Sequence, residues 1–306
     1  MKITALLHGY PPTHNAGAEW MLHEMLLFLK EKKHTVNVIV PGVEPYEFEG
    51  INVNKEKNLK SADIVFGHLK TSGMALNLCE RTRKPYVQII HNSNYYSILK
   101  SKSTKGFVNV IYNSNFTKDD MKYPLPGIVV HPPVDVKKYK TKTGDSITLI
   151  NLFERKGGKF FHEIAGLMPS YNFLGVEGGY GTQEKEDLKN VSYMANTPDA
   201  RKIYAKTRIL LMPSKYESYG RTAVEAMSNG IPVIAAPTPG LKECLGDAGI
   251  FCSLNSPLSW IEAIKELDDE TKYKEESDRC LKRSKEITKT VGKELIDMEK
   301  FLNNLL

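Results

Sequence analysis

Short apolar runs recur along the chain, separated by polar or glycine-bearing loops and by stretches with apolar residues at helical spacing. Residues 2–7 are the first such run and predict a strand that stops at His8-Gly9. Residues 19–31 then place Leu22, Met25, Leu26 and Leu29 three and four apart, the stripe of an amphipathic helix. Strands are predicted over 35–40, 51–53, 63–66, 85–90, 108–112 and 128–130, with helices over 73–80 and 115–121. A Lys- and Thr-rich stretch, 136–145, interrupts the pattern and carries Gly144.

The alternation resumes with a strand at 147–151, a helix at 156–167 and a strand at 171–174. A helix at 199–206 leads to the buried run 209–212, a loop, a helix at 222–228 closed by Asn229-Gly230, and a further run at 231–236. Helices are predicted over 257–267, 272–287 and 291–306. Strand–helix alternation of this kind specifies an α/β chain with doubly wound parallel sheets. The length of 306 residues suits two such domains, expected at 1–139 and 145–290, with helix 291–306 packing back on the first.

Composition narrows the class only slightly. With 41% hydrophobic residues and no apolar run long enough to span a bilayer, the chain reads as a soluble cytoplasmic protein. Cys79, Cys244, Cys252 and Cys280 lack metal-ligand spacing and read as reduced thiols. The net charge of +6 includes a basic cluster, Lys282, Arg283, Lys285, Lys289 and Lys293. It reads as a solvated helix face, with an anionic surface as the sharper alternative.

Chemistry concentrates where strands run out into loops. Glu217 and Glu225, with seven residues between them, lie in the loop after strand 209–212 and at the start of helix 222–228, on either side of Gly220. Ligands of doubly wound sheets bind at that end of the strands, near helix N-termini. Arg155-Lys156-Gly157-Gly158 follows strand 147–151 and offers cations, flexible backbone and a helix start to a phosphate. Asn15-Ala16-Gly17-Ala18-Glu19 supplies small residues after the first strand, and His91-Asn92 ends another strand. Asp63 and His68 read as structural. Residues 175–181 miss the dinucleotide spacing, no G-x-S-x-G occurs, and no His, Asp or Glu cluster has metal spacing.

Together these residues resemble the family-4 glycosyltransferases, retaining enzymes of the GT-B fold. The resemblance is carried by Pro213-Ser214, Glu217-Ser218-Tyr219-Gly220, Glu225-Ala226-Met227 and Gly230-Ile231-Pro232-Val233-Ile234. Softer matches are Lys156-Gly157, Ala16-Gly17-Ala18-Glu19, and Pro239-Gly240-Leu241-Lys242-Glu243 with Pro replacing a Gly. It implies two Rossmann-like domains facing across a cleft, and metal-independent transfer of a sugar from a UDP-, GDP- or ADP-sugar, with no cofactor. It further implies catalytic roles for Glu217, beside the donor sugar, and for His91. Glu225 would hold the ribose, and Lys156 the diphosphate, aided by Arg155, Gly17 and the turn Ser218, Tyr219, Gly220, Arg221 and Thr222. Asn151 departs from the pattern, standing where the family often has arginine.

The acceptor is expected to be a glycan, a lipid-linked sugar or modified DNA, with peripheral membrane contact as one setting. Loops 10–16, 70–74 and 92–106, with Lys100, Lys102 and Lys105, are candidates to meet it. Tyr193 and Met194 are weak candidates for the donor base. The alternatives are another GT-B activity, such as a nucleotide-sugar epimerase or phosphorylase, and a catalytically silent nucleotide-sugar-binding protein.

Overall fold

The computed structural model describes residues 1–57, 59–93, 108–121 and 125–306. The chain divides into two compact units. One comprises Met1–His14, Ala18–Pro133 and Thr290–Leu306; the other comprises Asn15–Gly17 and Val134–Lys289.

The first unit is built on strands β1 (Lys2–Leu6), β2 (Thr35–Ile39), β3 (Tyr46–Phe48), β4 (Ile51–Asn54), β5 (Ile64–His68), β6 (Tyr86–Ile90), β7 (Val108–Tyr112) and β8 (Gly127–Val129). Their order is β3-β4-β2-β1-β5-β6-β7-β8. All neighbours are parallel except the hairpin β3–β4, which closes one edge. Successive side chains point to opposite faces of a strand. Ile3, Ala5, Ile64 and Phe66 therefore join one core with Leu22, Met25 and Leu26 of helix Gly17–Glu31. Leu6, Val65, Tyr86 and Ile90 join a second core on the other face, with Leu76 of helix Ser72–Thr82.

The second unit carries β9 (Ser146–Ile150), β10 (Phe173–Val176), β11 (Val191–Met194), β12 (Thr207–Met212), β13 (Val233–Ala235) and β14 (Gly249–Phe251). The sheet runs β11-β10-β9-β12-β13-β14, wholly parallel. Numbered from β9, that is the order 3-2-1-4-5-6 of a Rossmann sheet. Its core packs Phe161, Phe173, Ile209 and Trp260 together, with Trp260 fully buried.

Three features differ from the pattern read in the sequence. The two C-terminal helices are one, Glu270–Asn303. The threonines between them do not stop it: Thr288 turns its hydroxyl back to the Ser284 carbonyl at 2.9 Å, the local bond that lets a β-branched hydroxyl ride within a helix. The division of the chain falls at Pro133–Val134, ahead of the Lys-rich stretch. Tyr139, in the turn Val136–Tyr139, is tied into the second unit by Asn229 at 3.0 Å and Arg221 at 2.7 Å. Arg283 of the basic cluster is no free surface charge, since it donates to the carbonyls of Cys244 and Glu243 at 2.9 and 2.8 Å. Lys100, Lys102 and Lys105, with most of loop 92–106, lie outside the described residues. Among the described residues no helix is long and apolar enough to cross a membrane.

The end of the long helix belongs to the first unit. Met298 and Leu302 are fully buried in its core, Glu294 accepts from the His131 backbone at 2.9 Å and faces its Nδ1 at 2.8 Å, and Glu299 meets His34 at 2.9 Å. Leu302→Ala should therefore cost about 2–5 kcal/mol, the usual range for emptying a buried leucine site. The half-exposed Ile296, 44% accessible, should tolerate alanine within about 0.5 kcal/mol. Chemical denaturation of the two variants measures the difference; equal midpoints would show that the tail is not part of the core.

Candidate functional site

A doubly wound sheet has one place where neighbouring strands send their chains to opposite sides. In the second unit it lies between β9, which leads on towards β10, and β12, which leads on towards β13. The loops leaving these strands diverge and leave a crevice beyond their C-terminal ends. Those loops carry Lys156 and Glu217.

Lys156 ends the short turn Glu154–Lys156 after β9, directly before helix Gly158–Leu167. Glu217 lies in the loop after β12. The Lys156 ammonium pairs with Glu217 Oε1, which also accepts from Ser214 Oγ at 3.1 Å. Burial pulls the Lys156 pKa down, but the charges of Glu217 and Tyr180 outweigh it, and the net shift is upward. Lys156 is thus a cation throughout the neutral range, with 21% of its side chain still accessible. Gly240 sits flush against the Glu217 carbonyl, where a Cβ would collide with backbone. The glycine of the Pro239-Gly240 turn therefore lets the Glu217 loop settle onto helix Pro239–Leu245.

Glu225 is placed differently. It lies in helix Arg221–Ser228 and is 6% exposed. Arg221 Nε stands 2.9 Å from its Oε1, and Tyr204 donates to its Oε2 at 2.8 Å. Arg221 also donates from Nη2 to the Tyr139 hydroxyl at 2.7 Å. Burial raises the Glu225 pKa, opposed by Arg221 and by the Tyr204 hydrogen bond. Each carboxylate oxygen keeps one further lone pair. Gly220 caps this helix at φ 111°, a conformation that favours glycine, and a Cβ there would meet Leu241 at 2.8 Å.

The remaining residues named from sequence fall as follows. Ser218 and Thr222 are half-buried, and Tyr219, Gly220 and Arg221 are buried, in the turn that opens this helix. Arg155 is exposed and stacks over Tyr216 at 5.7 Å. Asn151 adopts a left-handed conformation at φ 72°, which asparagine tolerates well. Its Oδ1 accepts from the Phe153 backbone and from Gln183, each at 3.2 Å, and so shapes the loop after β9. Gly17 opens helix Gly17–Glu31, and a Cβ there would meet nothing within 4 Å.

His91 follows β6 in the first unit, 8% exposed, with Nε2 at 3.0 Å from His68 Nδ1. Burial, then the charge of His8, pushes its pKa down to about 3, so it is a neutral imidazole at physiological pH. Tyr204 and Tyr139 were not singled out in the sequence, and Ser214 was noted there only as part of a motif. No spacing rule links a tyrosine in the helix before β12 to a glutamate in the helix after it.

Comparison with known proteins bears on the fold and on part of the second unit. The family model described as glycosyl transferases group 1 matches residues 163–269. The fold is GT-B, with two Rossmann-like parallel-sheet units. Sucrose-phosphate synthase from Thermosynechococcus elongatus superposes with a TM-score of 0.79 at 14% identity, over 100% of this chain and 99% of that one. Anabaena HepE, solved with UDP and glucose, gives 0.73 at 17% identity, over 96% and 98% of the two chains. The D-inositol 3-phosphate glycosyltransferase of Corynebacterium glutamicum is 38% identical over 76 residues, 24% of this chain and 18% of that protein. The O-antigen chain mannosyltransferase B of Escherichia coli is 31% identical over 113 residues, 30% of each. The chain thus aligns with less than a third of the length of these curated relatives.

The Tyr204–Glu225 bond is buried and fully used. Tyr204→Phe should destabilise the second unit by about 1–3 kcal/mol, because it leaves a buried carboxylate oxygen without its donor. Thermal unfolding of the two proteins side by side checks this, and an unchanged midpoint would mean that water replaces the phenol.

Proposed function

We propose that the chain is a glycosyltransferase that moves a sugar from a nucleotide diphosphate sugar to an acceptor hydroxyl, with retention at the anomeric carbon. The observation that carries this reading is the Lys156–Glu217 pair at the switch point of the second sheet. The glycosyl transferases group 1 match and the GT-B neighbours support it.

Departure of a nucleoside diphosphate places negative charge on its terminal phosphate. A charged Lys156 at the start of helix Gly158–Leu167 is suited to receive that charge, together with the amides of the turn before helix Arg221–Ser228. In this reading the diphosphate takes the Lys156 ammonium, and the released Glu217 turns to the sugar. The acceptor oxygen then bonds the anomeric carbon on the face from which the diphosphate leaves. The bond to the diphosphate breaks with its electron pair on the phosphate oxygen, which accepts the acceptor's proton. Glu225 offers its remaining lone pairs to the donor ribose while Arg221 and Tyr204 hold it in place. His91 is kept as a second catalytic group of this reading, acting as a neutral imidazole. The stabilisation of the leaving group rests on Lys156 and backbone dipoles, with no metal ion placed on the diphosphate.

The test is nucleotide release from a panel of UDP-, GDP- and ADP-sugars, followed by the anomeric configuration of the product. Lys156→Ala should slow release from the donor that works by roughly 10²–10³-fold, the usual cost of losing one group that stabilises developing negative charge. Glu217→Ala should lower turnover with little change in donor KM, whereas Glu225→Gln should mainly raise KM. The glutamine is preferred to alanine because it spares Arg221 a large hole, and unpaired buried charges are costly. Kinetic defects of the same kind in both variants would refute the separate roles, and an inverted product would refute retention.

A further inference from the structure

The first sheet has a switch point too. It lies between β1, which leads to β2, and β5, which leads to β6. His8 follows β1, His68 ends β5, and Glu19 lies in the first turn of the helix after β1. Glu19 is 1% and His68 0% exposed, and the His8 side chain is 19% exposed. His8 Nε2 stands 3.6 Å and His68 Nε2 3.8 Å from Glu19 Oε1, and one ligand atom from each of the three lies within 4.8 Å of the others. No spacing in the sequence announces this cluster, because its members come from three separate elements.

The polar atoms at its centre lack partners. Glu19 Oε1 and His68 Nε2 are buried without a hydrogen bond. Buried polar groups are ordinarily satisfied, so an orphaned carboxylate oxygen facing an orphaned imidazole nitrogen needs something between them. Among the described residues every ion-pair partner of Glu19 is a histidine: His8, His68 and, at 3.8 Å, His14. Lys70 lies near His8 and His14, and among the described residues it forms no ion pair with Glu19.

We infer that His8, Glu19 and His68 form a binding site for a first-row divalent transition cation of the zinc type, at the switch point of the first sheet. Two imidazoles and a carboxylate are a donor set that such ions accept. Ligand atoms about 2.1 Å from an ion stand about 3.4 Å apart at the tetrahedral angle, a few tenths of an ångström inside the two separations to Glu19. His14, with 34% of its side chain accessible, flanks the same oxygen on the open side. Behind His68 lies the support that metal-bound histidines usually have. With Nε2 on the ion, its Nδ1–H donates to His91 Nε2 at 3.0 Å. The ion thereby fixes the tautomer of both rings. This site stands on the geometry of the first unit alone and is independent of the transferase reading.

The experiment uses the full chain, stripped with a chelator and titrated with Co²⁺ alone while its visible ligand-field spectrum is followed, with Zn²⁺ as competitor. One equivalent of Co²⁺ should bind, give a tetrahedral-type spectrum and be displaced by Zn²⁺. Glu19→Gln, which keeps the shape and removes the charge, should weaken binding by about tenfold or more. His8→Gln, at a more accessible position, should do the same, and it decides the matter if the Glu19 variant does not fold. His34→Gln should leave the titration unchanged, since His34 is engaged with Glu299. No stoichiometric binding, or binding of equal strength in the folded Glu19→Gln and His8→Gln chains, would overturn the assignment.

Discussion

A parallel sheet that reverses its strand order must separate two outgoing loops at one point. That constraint organises both units. It sets Lys156 opposite Glu217 at β9 and β12, and His8 with Glu19 beside His68 at β1 and β5. The central strands β1, β5, β6 and β12 are largely buried and offer mostly backbone and hydrocarbon. Polar chemistry is therefore confined to the edge where chains leave the sheet. The two edges are chemically unlike: one carries a half-buried cation paired with a carboxylate, the other a buried glutamate among imidazoles.

The two glutamates of the second unit show how burial divides residues that look alike in sequence. Glu217 is in a loop, and its partners are a half-buried lysine and a serine hydroxyl. Such a pair can exchange partners at modest cost. Glu225 is inside a helix, held by an arginine and a tyrosine that are themselves buried. Through Arg221 its Oε1 helps keep helix Arg221–Ser228 against the turn Val136–Tyr139, while its Oε2 takes the Tyr204 hydroxyl. Any part it plays in binding a ligand is added to that structural task.

Much of the fold was legible because apolar runs and loop signals follow the periods of strand and helix. The GT-B fold was implied by the resemblance of the motifs around Glu217, Gly220 and Glu225 to those of the family-4 glycosyltransferases. What escaped depended on contacts that sequence distance does not encode. The hairpin strand Tyr46–Phe48 and the strand Val191–Met194 are short and only partly buried, so their apolar signal is weak. Thr288 sits where helix propensity falls, yet the helix runs through it, with Ile287 and Val291 buried on either side and the Thr288 hydroxyl turned back to Ser284. Asn151 looked like a missing arginine, yet its left-handed backbone and its bonds to Phe153 and Gln183 give it work of its own. His68 was read as structural, and its bonding to His91 emerges only once β5 and β6 are paired.

The helix Glu270–Asn303 has a consequence for how the protein is made. The core of the first unit contains Met298 and Leu302, yet the sequence between Pro133 and Thr290 belongs to the other unit. During synthesis the first sheet emerges early but lacks part of its hydrophobic cover until translation reaches those residues, a delay on the order of ten seconds at ordinary elongation rates. The second unit is contiguous apart from Asn15–Gly17 and has its whole core earlier. Of the two units, the one whose sheet emerges earlier is thus the later to have its core filled.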